Sequence, residues 1–517
     1  MSSDDAARPG RAPQAVNAKV PASIAAVLDD ALATRPDAPA VEAASGVWSY
    51  AELHDRARRA AGALWSLGVR PGDRVAACLP NDLDIVAAFH GAQRIGAVWA
   101  GIGEALAAGE QEDLHGICEP AVVLAGPRCK LTSKDCVDPE QWAALLDRDE
   151  TAPAVDLDRH APAGISFTSG TSGRPKAVVH SQHNMLLPGA VLVATRGYGP
   201  DLRKGDSFAL TIINLMVLST LLTAQAGGCA VIMDRRDVAG VAEWISSRRV
   251  TVWNGAPAQL HDLAARPQAD LSSLREVWSG GSDTPDAVRD AFAEAHGIVP
   301  RATYGLTEAP TIVSIDPPGD QWRPRASGRV QPHLDVAAYD DDGRRLPPGT
   351  LGELRVSAAS EGPWAGAWTP LLGYWENGGV RPAEPGPLAT GDIGTVDEDG
   401  WLSVLDRKKL VIIRGGANVY PLEVERVIAS HPDVVRVAVC PVPDERLGQR
   451  VAALVETTAP ALDVDGLKEL CRRELASYKV PEIWTKVDAL PLNAMGKVRR
   501  ADLPDLVDRS QPPGQAK

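Results

Sequence analysis

Along its first part the chain alternates between helical and strand spacing of apolar residues. SYAELHDRARRAAGALWSLG (49–68) places apolar positions three and four apart and ends on a glycine, as a capped amphipathic helix does. DRVAACL (73–79) is a short strand, and LDIVAAFHGAQRIG (83–96) a second amphipathic helix. AVVLAG, GCAVIM and VTVWNG read as further strands and VAEWISSRRV as a further helix. Alternation of this kind predicts mostly parallel sheets covered by helices, with ligands at the carboxyl ends of the strands.

From about Asp335 the pattern changes. DVAAYDDDGRRLPPGTLGELRVS predicts antiparallel hairpins with turns at Asp342-Gly343 and Pro348-Gly349, and DIGTVDEDGWLSVLDRKKLVIIRGG a second hairpin turning at Asp399-Gly400. After Lys409 a small α+β unit is expected: helix PLEVERVIASH, strands VVRVAVCPV and QRVAALVE, helix VDGLKELCRREL. The uncharged run 208–233 is long enough to span a bilayer, but Asn214, Gln225 and Gly227-Gly228 favour a buried helix, a turn and a buried strand.

Composition narrows the class. The length of 517 residues exceeds one ordinary core and calls for at least two domains. A net charge of -14 argues against bulk nucleic-acid binding, so an anionic ligand would need local basic groups. Seven scattered cysteines without a C-x-x-C pair argue against a zinc cage or disulfide framework and for a reducing compartment. The start lacks a secretory apolar core; 1–20 and 508–517 read as tails, the first disordered.

Four polar clusters stand out. TSGTSGRPKAV (168–178) packs hydroxyls, glycines and Lys176 behind the strand GISF. It reads equally as a turn or as an anion cradle of exposed backbone N–H groups, and it lacks the Walker spacing. YGLTE (304–308) offers an aromatic face, a hydroxyl and a carboxylate. TGD (390–392) sets a carboxylate after a glycine turn, where it can accept two ribose hydroxyls. NAMGKVRR (493–500) places Lys497 after a glycine. Each alone has an ordinary structural reading.

Together, in this order, they resemble the adenylate-forming superfamily of acyl- and aryl-CoA synthetases, peptide adenylation domains and beetle luciferases, over about 49–500. The resemblance implies an α/β fold: a large N-terminal domain of mostly parallel sheets with a β-barrel-like subdomain (21–405), a hinge at 406–409 and a small mobile α+β lid (410–507). It implies attack of a carboxylate on the α-phosphate of ATP, then transfer of the acyl group to the thiol of coenzyme A. By analogy Thr168, Ser169, Gly170, Thr171, Ser172, Gly173 and Lys176 wrap the phosphates. Tyr304 stacks on adenine opposite Gly281, Ser282 and Asp283. Thr307 touches phosphate and carboxylate, and Glu308 binds magnesium. Asp392 and Arg407 hold the ribose, and Lys497 bridges carboxylate and α-phosphate. Lys409 is the hinge, and Gly415 and Gly416 lie beside the pantetheine tunnel.

The acyl pocket is expected from Asn214, Met216 and Leu218, from Trp253, Gly255 and Ala256, and from Trp278, Gly280 and Leu306, with the small residues leaving room for a sizeable apolar acid. His180 and His183 are expected as helix-start residues rather than bases. The chain departs from the family at TIINLMVLS, where a gating His or aromatic is usual, and at Ala302, where an adenine-binding polar residue is usual. Lys176-Ala177 and Ser172 are milder changes. A complete ligase is expected, in the cytoplasm, with carboxylic acid and CoA as small-molecule partners; no nucleic acid and no membrane span enter. A thioester-forming half-enzyme, a loader of a free carrier protein and, least, a binding protein are the alternatives, and a homodimer stays open. No fused carrier domain is expected after the small domain.

Overall fold

The computed structural model describes residues 20–168, 175–281, 284–319, 322–492 and 498–507. Two large sheets form the frame. In one, the parallel strands Arg203–Asp206, Cys229–Ile232, Val252–Gly255, Glu276–Gly280 and Arg301–Leu306 make the centre. Thr311–Ile315 returns antiparallel at one edge, and Pro39–Ala43 with Gly46–Ser49 completes the other. In the second, Arg74–Cys78, Val98–Gly101, Val122–Ala125 and Pro162–Thr168 run parallel. Lys176–Ser181, Gly373–Glu376 and Gly379–Pro382 extend that sheet antiparallel.

Sequence chemistry sets the helices that cover them. Tyr50–Ser66 starts at a capping box in which Ser49 Oγ accepts from the Glu52 N–H at 3.2 Å and the Ser49 N–H donates to Glu52 at 2.7 Å. It packs on Leu83–Arg94 so closely that a methyl at Gly91 would stand 2.6 Å from Ala60 Cβ. The uncharged run is no membrane span: it folds as Ile213–Met216, a π-helical turn Val217–Leu221 and Leu222–Ala226, ends at Gly227 (φ 68°), and continues as the buried strand Cys229–Ile232. Among the described residues no helix is long and apolar enough to cross a membrane.

The expected hairpins appear as one open four-stranded antiparallel sheet. Leu334–Tyr339 pairs with Gly352–Ala358, that strand with Leu388–Val396, and the last with Leu402–Arg407. Gly343, Gly349 and Gly400 take positive φ at the turns foreseen. Beyond Arg407 the single turn Lys408–Leu410 leads to a small unit built on the long hairpin Val434–Asp444/Gly448–Thr457, with Ile483–Val487 parallel to it and the helices Pro421–Ala429 and Val464–Glu474 against it. It has its own core of Ile412, Val424, Ile428, Val451, Leu467 and Trp484. Its first helix docks on the strand leading into it, where the Leu422 N–H donates to Asp406 at 2.6 Å and Arg426 donates to the Val404 carbonyl at 3.1 Å.

Candidate active site

Thr168 and Lys176 stand opposite each other on paired antiparallel strands. Ser169, Gly170, Thr171, Ser172 and Gly173 lie outside the described residues. Lys176 Nζ sits 5.4 Å from the ring centre of Tyr374, whose strand pairs with Val178. Burial, and then the charge of Glu308, push the Tyr374 hydroxyl above its ordinary range. Lys176 is therefore a neighbour of Tyr374, and the Glu308 charge lies within electrostatic reach of the same ring.

His180 links this hairpin to the first sheet. It is a strand residue, not a helix start, and is fully buried. Burial lowers its pKa to about 4, so the ring is neutral and Nε2–H donates to the Thr307 carbonyl at 2.7 Å. That bond fixes the turn after Arg301–Leu306, which carries Thr307 and Glu308. His183 does open a helix, and its Nε2 pairs with the Ala367 carbonyl at 2.7 Å.

The third cluster meets the second directly. The Tyr304 hydroxyl donates to Asp392 Oδ2 at 2.5 Å, and Arg407 Nε lies 2.7 Å from Asp392 Oδ1. Asp392 and Arg407 are cross-strand partners, which is why residues fifteen apart in sequence touch. Gly391 at φ 72° makes the bend, and the Asp392 N–H donates to Thr390 Oγ1 at 3.0 Å. Asp392 is 3% exposed. Burial, then the Asp392 charge, hold the Tyr304 hydroxyl well above its ordinary pKa, so it stays a donor.

The pocket residues divide between two faces of one sheet. Asn254 stands beside Trp278 and Asp206, so these three share the face towards the helix 213–226. Trp278 packs there with Leu218 and Val252. Trp253 corrects the expectation. Strand alternation sends it to the opposite face, where it is fully buried with Val241, Leu260 and Phe292. The space at Gly255 is taken by the Trp253 ring, and that at Gly280 by Thr303, so these glycines serve protein packing rather than leaving room for an acid. Met216 and Leu306 lie in the main core, and the Ala256 N–H is held by Gln259 at 3.0 Å. Asn214 is half-buried at the helix start. Asn254 was not foreseen; the phase of VTVWNG, with Val252 and Asn254 on one face, was the available signal.

Gly281 (φ 82°) ends the strand Glu276–Gly280, while Ser282, Asp283 and Lys497 lie outside the described residues. Gly415 (φ 58°) and Gly416 (φ 86°) turn the hairpin Ile412–Arg414/Ala417–Val419. Lys409 is exposed on the connecting turn. Ala302 offers only its backbone, whose N–H donates to the buried Asp316 at 2.8 Å.

Residues 28–362 match the AMP-binding enzyme family, and 423–497 match the C-terminal domain of AMP-binding enzymes. The chain belongs to the AMP-binding enzyme family. It is 31% identical over 489 residues to an indoleacetate–CoA ligase of Aromatoleum aromaticum, covering 89% of this chain and 93% of the relative. It is 31% identical over 478 residues to a long-chain-fatty-acid–CoA ligase of Mycobacterium tuberculosis, covering 88% and 92%. An anthranilate CoA ligase solved with anthranoyl-AMP superposes with a TM-score of 0.85 at 25% identity, covering 95% of this chain and 98% of that one.

The residues of this AMP-binding enzyme fit a nucleotide. An ionised carboxylate has about four acceptor sites, and Tyr304 and Arg407 occupy one on each oxygen of Asp392. Together they hold that carboxylate in one orientation, as the recognition of ribose hydroxyls requires. Glu308 makes no hydrogen bond or ion pair among the described residues, and no cluster of three or more metal-ligating side chains exists there. That fits a magnesium ion bound by one protein carboxylate with phosphate oxygens and water completing its shell.

Proposed function

We propose that this AMP-binding enzyme is an AMP-forming acid–thiol ligase that activates an acid, apolar over most of its surface, with ATP and passes the acyl group to coenzyme A. The observation that carries this is the Asp392 carboxylate, buried and clamped between Tyr304 and Arg407. It stands in a family whose similar members are named CoA ligases.

In the first step an oxygen of the substrate carboxylate bonds to the α-phosphorus of ATP and pyrophosphate leaves. In the second the CoA thiolate bonds to the acyl carbon and AMP leaves. The protein's work is positioning and charge stabilisation, since neither step needs a protein nucleophile. Asp392 and Arg407 orient the ribose, Tyr304 stacks on the base, and Lys176 with the hydroxyls at 168–172 meets the phosphates. Thr307, fixed through His180, addresses the reacting centre, and Lys497 neutralises charge there. Glu308 is the residue that would hold a magnesium ion, which when bound would supply electrostatic stabilisation of the phosphates. Lys409 is the hinge about which the small domain turns between steps, bringing Gly415 and Gly416 to the thiol path. This reading places the enzyme in the cytoplasm.

The test is carboxylate-dependent ATP–pyrophosphate exchange over fatty, aryl and polycyclic acids, with free-thiol consumption measured alongside. Exchange in the wild type, its loss in Lys497→Ala, and consumption of CoA are expected. Thioester formed only from supplied acyl-AMP, with no exchange for any acid, would overturn the complete ligase.

A further inference from the structure

The sheet face beneath the candidate site is unusually polar for a pocket meant for an apolar acid. Its row nearest the strand ends is Gly280 and Thr303; the row below is Asp206, Asn254, Trp278 and, at the far strand, Arg301, aligned strand to strand. Two residues along a strand separate the rows, roughly 6–7 Å. Lys204 lies lower still on the same face, fully buried, with Nζ 2.8 Å from Asp206 Oδ2 and 4.7 Å from the Trp278 ring centre. Ser219 donates to the same oxygen of Asp206 at 2.5 Å. Ser219 sits on the π-helical turn Val217–Leu221, and such turns often mark functional sites.

Polar capacity remains unused there. Asp206 is 1% exposed, and its Oδ1 has no hydrogen-bond partner among the described residues. Asn254 is half-buried, and its amide makes no hydrogen bond to a described residue; Asn214, also half-buried across from the sheet, leaves its Oδ1 buried without one. A buried acceptor without a donor is costly, so these groups call for a ligand that supplies one. The charge of Asp206 is already balanced by Lys204, which excludes a second charge as the matching feature.

We infer that Asp206 and Asn254 form a hydrogen-bonding floor of the acyl pocket, and that the preferred acid carries a neutral donor, a hydroxyl, aromatic amine or ring N–H, on the end remote from its carboxylate. Leu218 and Trp278 supply the apolar walls around it. The inference rests on the acyl-CoA ligase proposal and refines its substrate class. Asn254 is a specificity residue in direct reach of the acyl group, whereas Lys204 and Ser219 are positioning residues that hold Asp206.

The experiment compares matched acids in ATP–pyrophosphate exchange with the intact enzyme: cinnamic against 4-hydroxycinnamic acid, indole-3-acetic against 1-methylindole-3-acetic acid, and decanoic against 10-hydroxydecanoic acid. At least one donor-bearing member should exceed its partner tenfold or more in kcat/KM, since a site built for a substrate donor rejects the analogue that lacks it. Asn254→Leu should collapse that ratio by raising exchange with the donor-free acid. Asn254→Ser, which keeps a small polar group, should retain part of it and serves if the leucine variant does not fold. Exchange without any donor preference would overturn this inference and leave the ligase proposal standing. A preference unchanged in both Asn254 variants would overturn the assignment of the floor. Exchange with no acid at all would overturn the ligase proposal, and this inference with it.

Discussion

Replacing Asp392 by asparagine separates nucleotide binding from folding. In the free protein the amide can keep both neighbours: its oxygen accepts from Arg407 Nε, and its NH2 donates to the Tyr304 hydroxyl, which turns from donor to acceptor. The lost charge pair is weak, because the Arg407 side chain is 52% exposed and such a pair contributes at most about 1 kcal/mol. Bound ribose fares worse. The NH2 offers no lone pair, so one charge-assisted hydrogen bond to a ribose hydroxyl disappears, about 1.5–3 kcal/mol. At about 1.4 kcal/mol per decade, AMP should bind roughly 10- to 150-fold more weakly. Titration calorimetry with AMP reads this without catalysis, and urea unfolding reads stability. Tyr304→Phe should show the reverse balance: its ring still stacks, so AMP affinity falls less, but the buried Asp392 Oδ2 loses a donor, at a stability cost of about 1–3 kcal/mol. An Asp392→Asn protein that binds AMP within twofold of wild type would refute the ribose role.

Three further outcomes follow from the same structure. Burial depresses the pKa of His90 and His333 to about 3 and of His180 and His183 to about 4. Their unfolded value is about 6.5, so stability is level above that pH and falls as the unfolded chain alone takes up protons. At pH 5 each histidine should cost about 2 kcal/mol, visible as a sharp drop in urea midpoint from pH 7.5; an unchanged midpoint would refute their burial as neutral rings. Lys204→Met leaves Asp206 buried and unpaired and should destabilise by about 3–5 kcal/mol, with Lys204→Met/Asp206→Leu recovering much of that; equal midpoints for the two would contradict a buried ion pair. His180→Leu removes the donor to the Thr307 carbonyl and should lower the maximal exchange rate about tenfold while costing about 1–3 kcal/mol in stability; an undiminished rate would show that the Thr307 turn does not depend on it.

Much of this protein is legible along the chain, because the signals are local. Ser49 and Glu52 name a helix start, Gly343 and Gly400 name turns, and the order of TSGTSGRPKAV, YGLTE and TGD names a family, since each depends on neighbours in sequence. What sequence could not settle concerns the direction of side chains and contacts between distant segments. A strand shows two faces, and nothing within VTVWNG says which faces the site; only pairing with Arg203–Asp206 and Glu276–Gly280 puts Asn254 there and Trp253 behind. The glycines at 255 and 280 suggest open space in a linear reading, but Trp253 and Thr303 fill it in three dimensions. His180 reads as a helix-start residue, yet it lies in a strand, and folding brings it against Thr307, 127 positions away. Nothing near Lys204 and Asp206 in sequence marks them as buried, but sheet and helix enclose them, and a charge enclosed in that way persists only with its partner at hand.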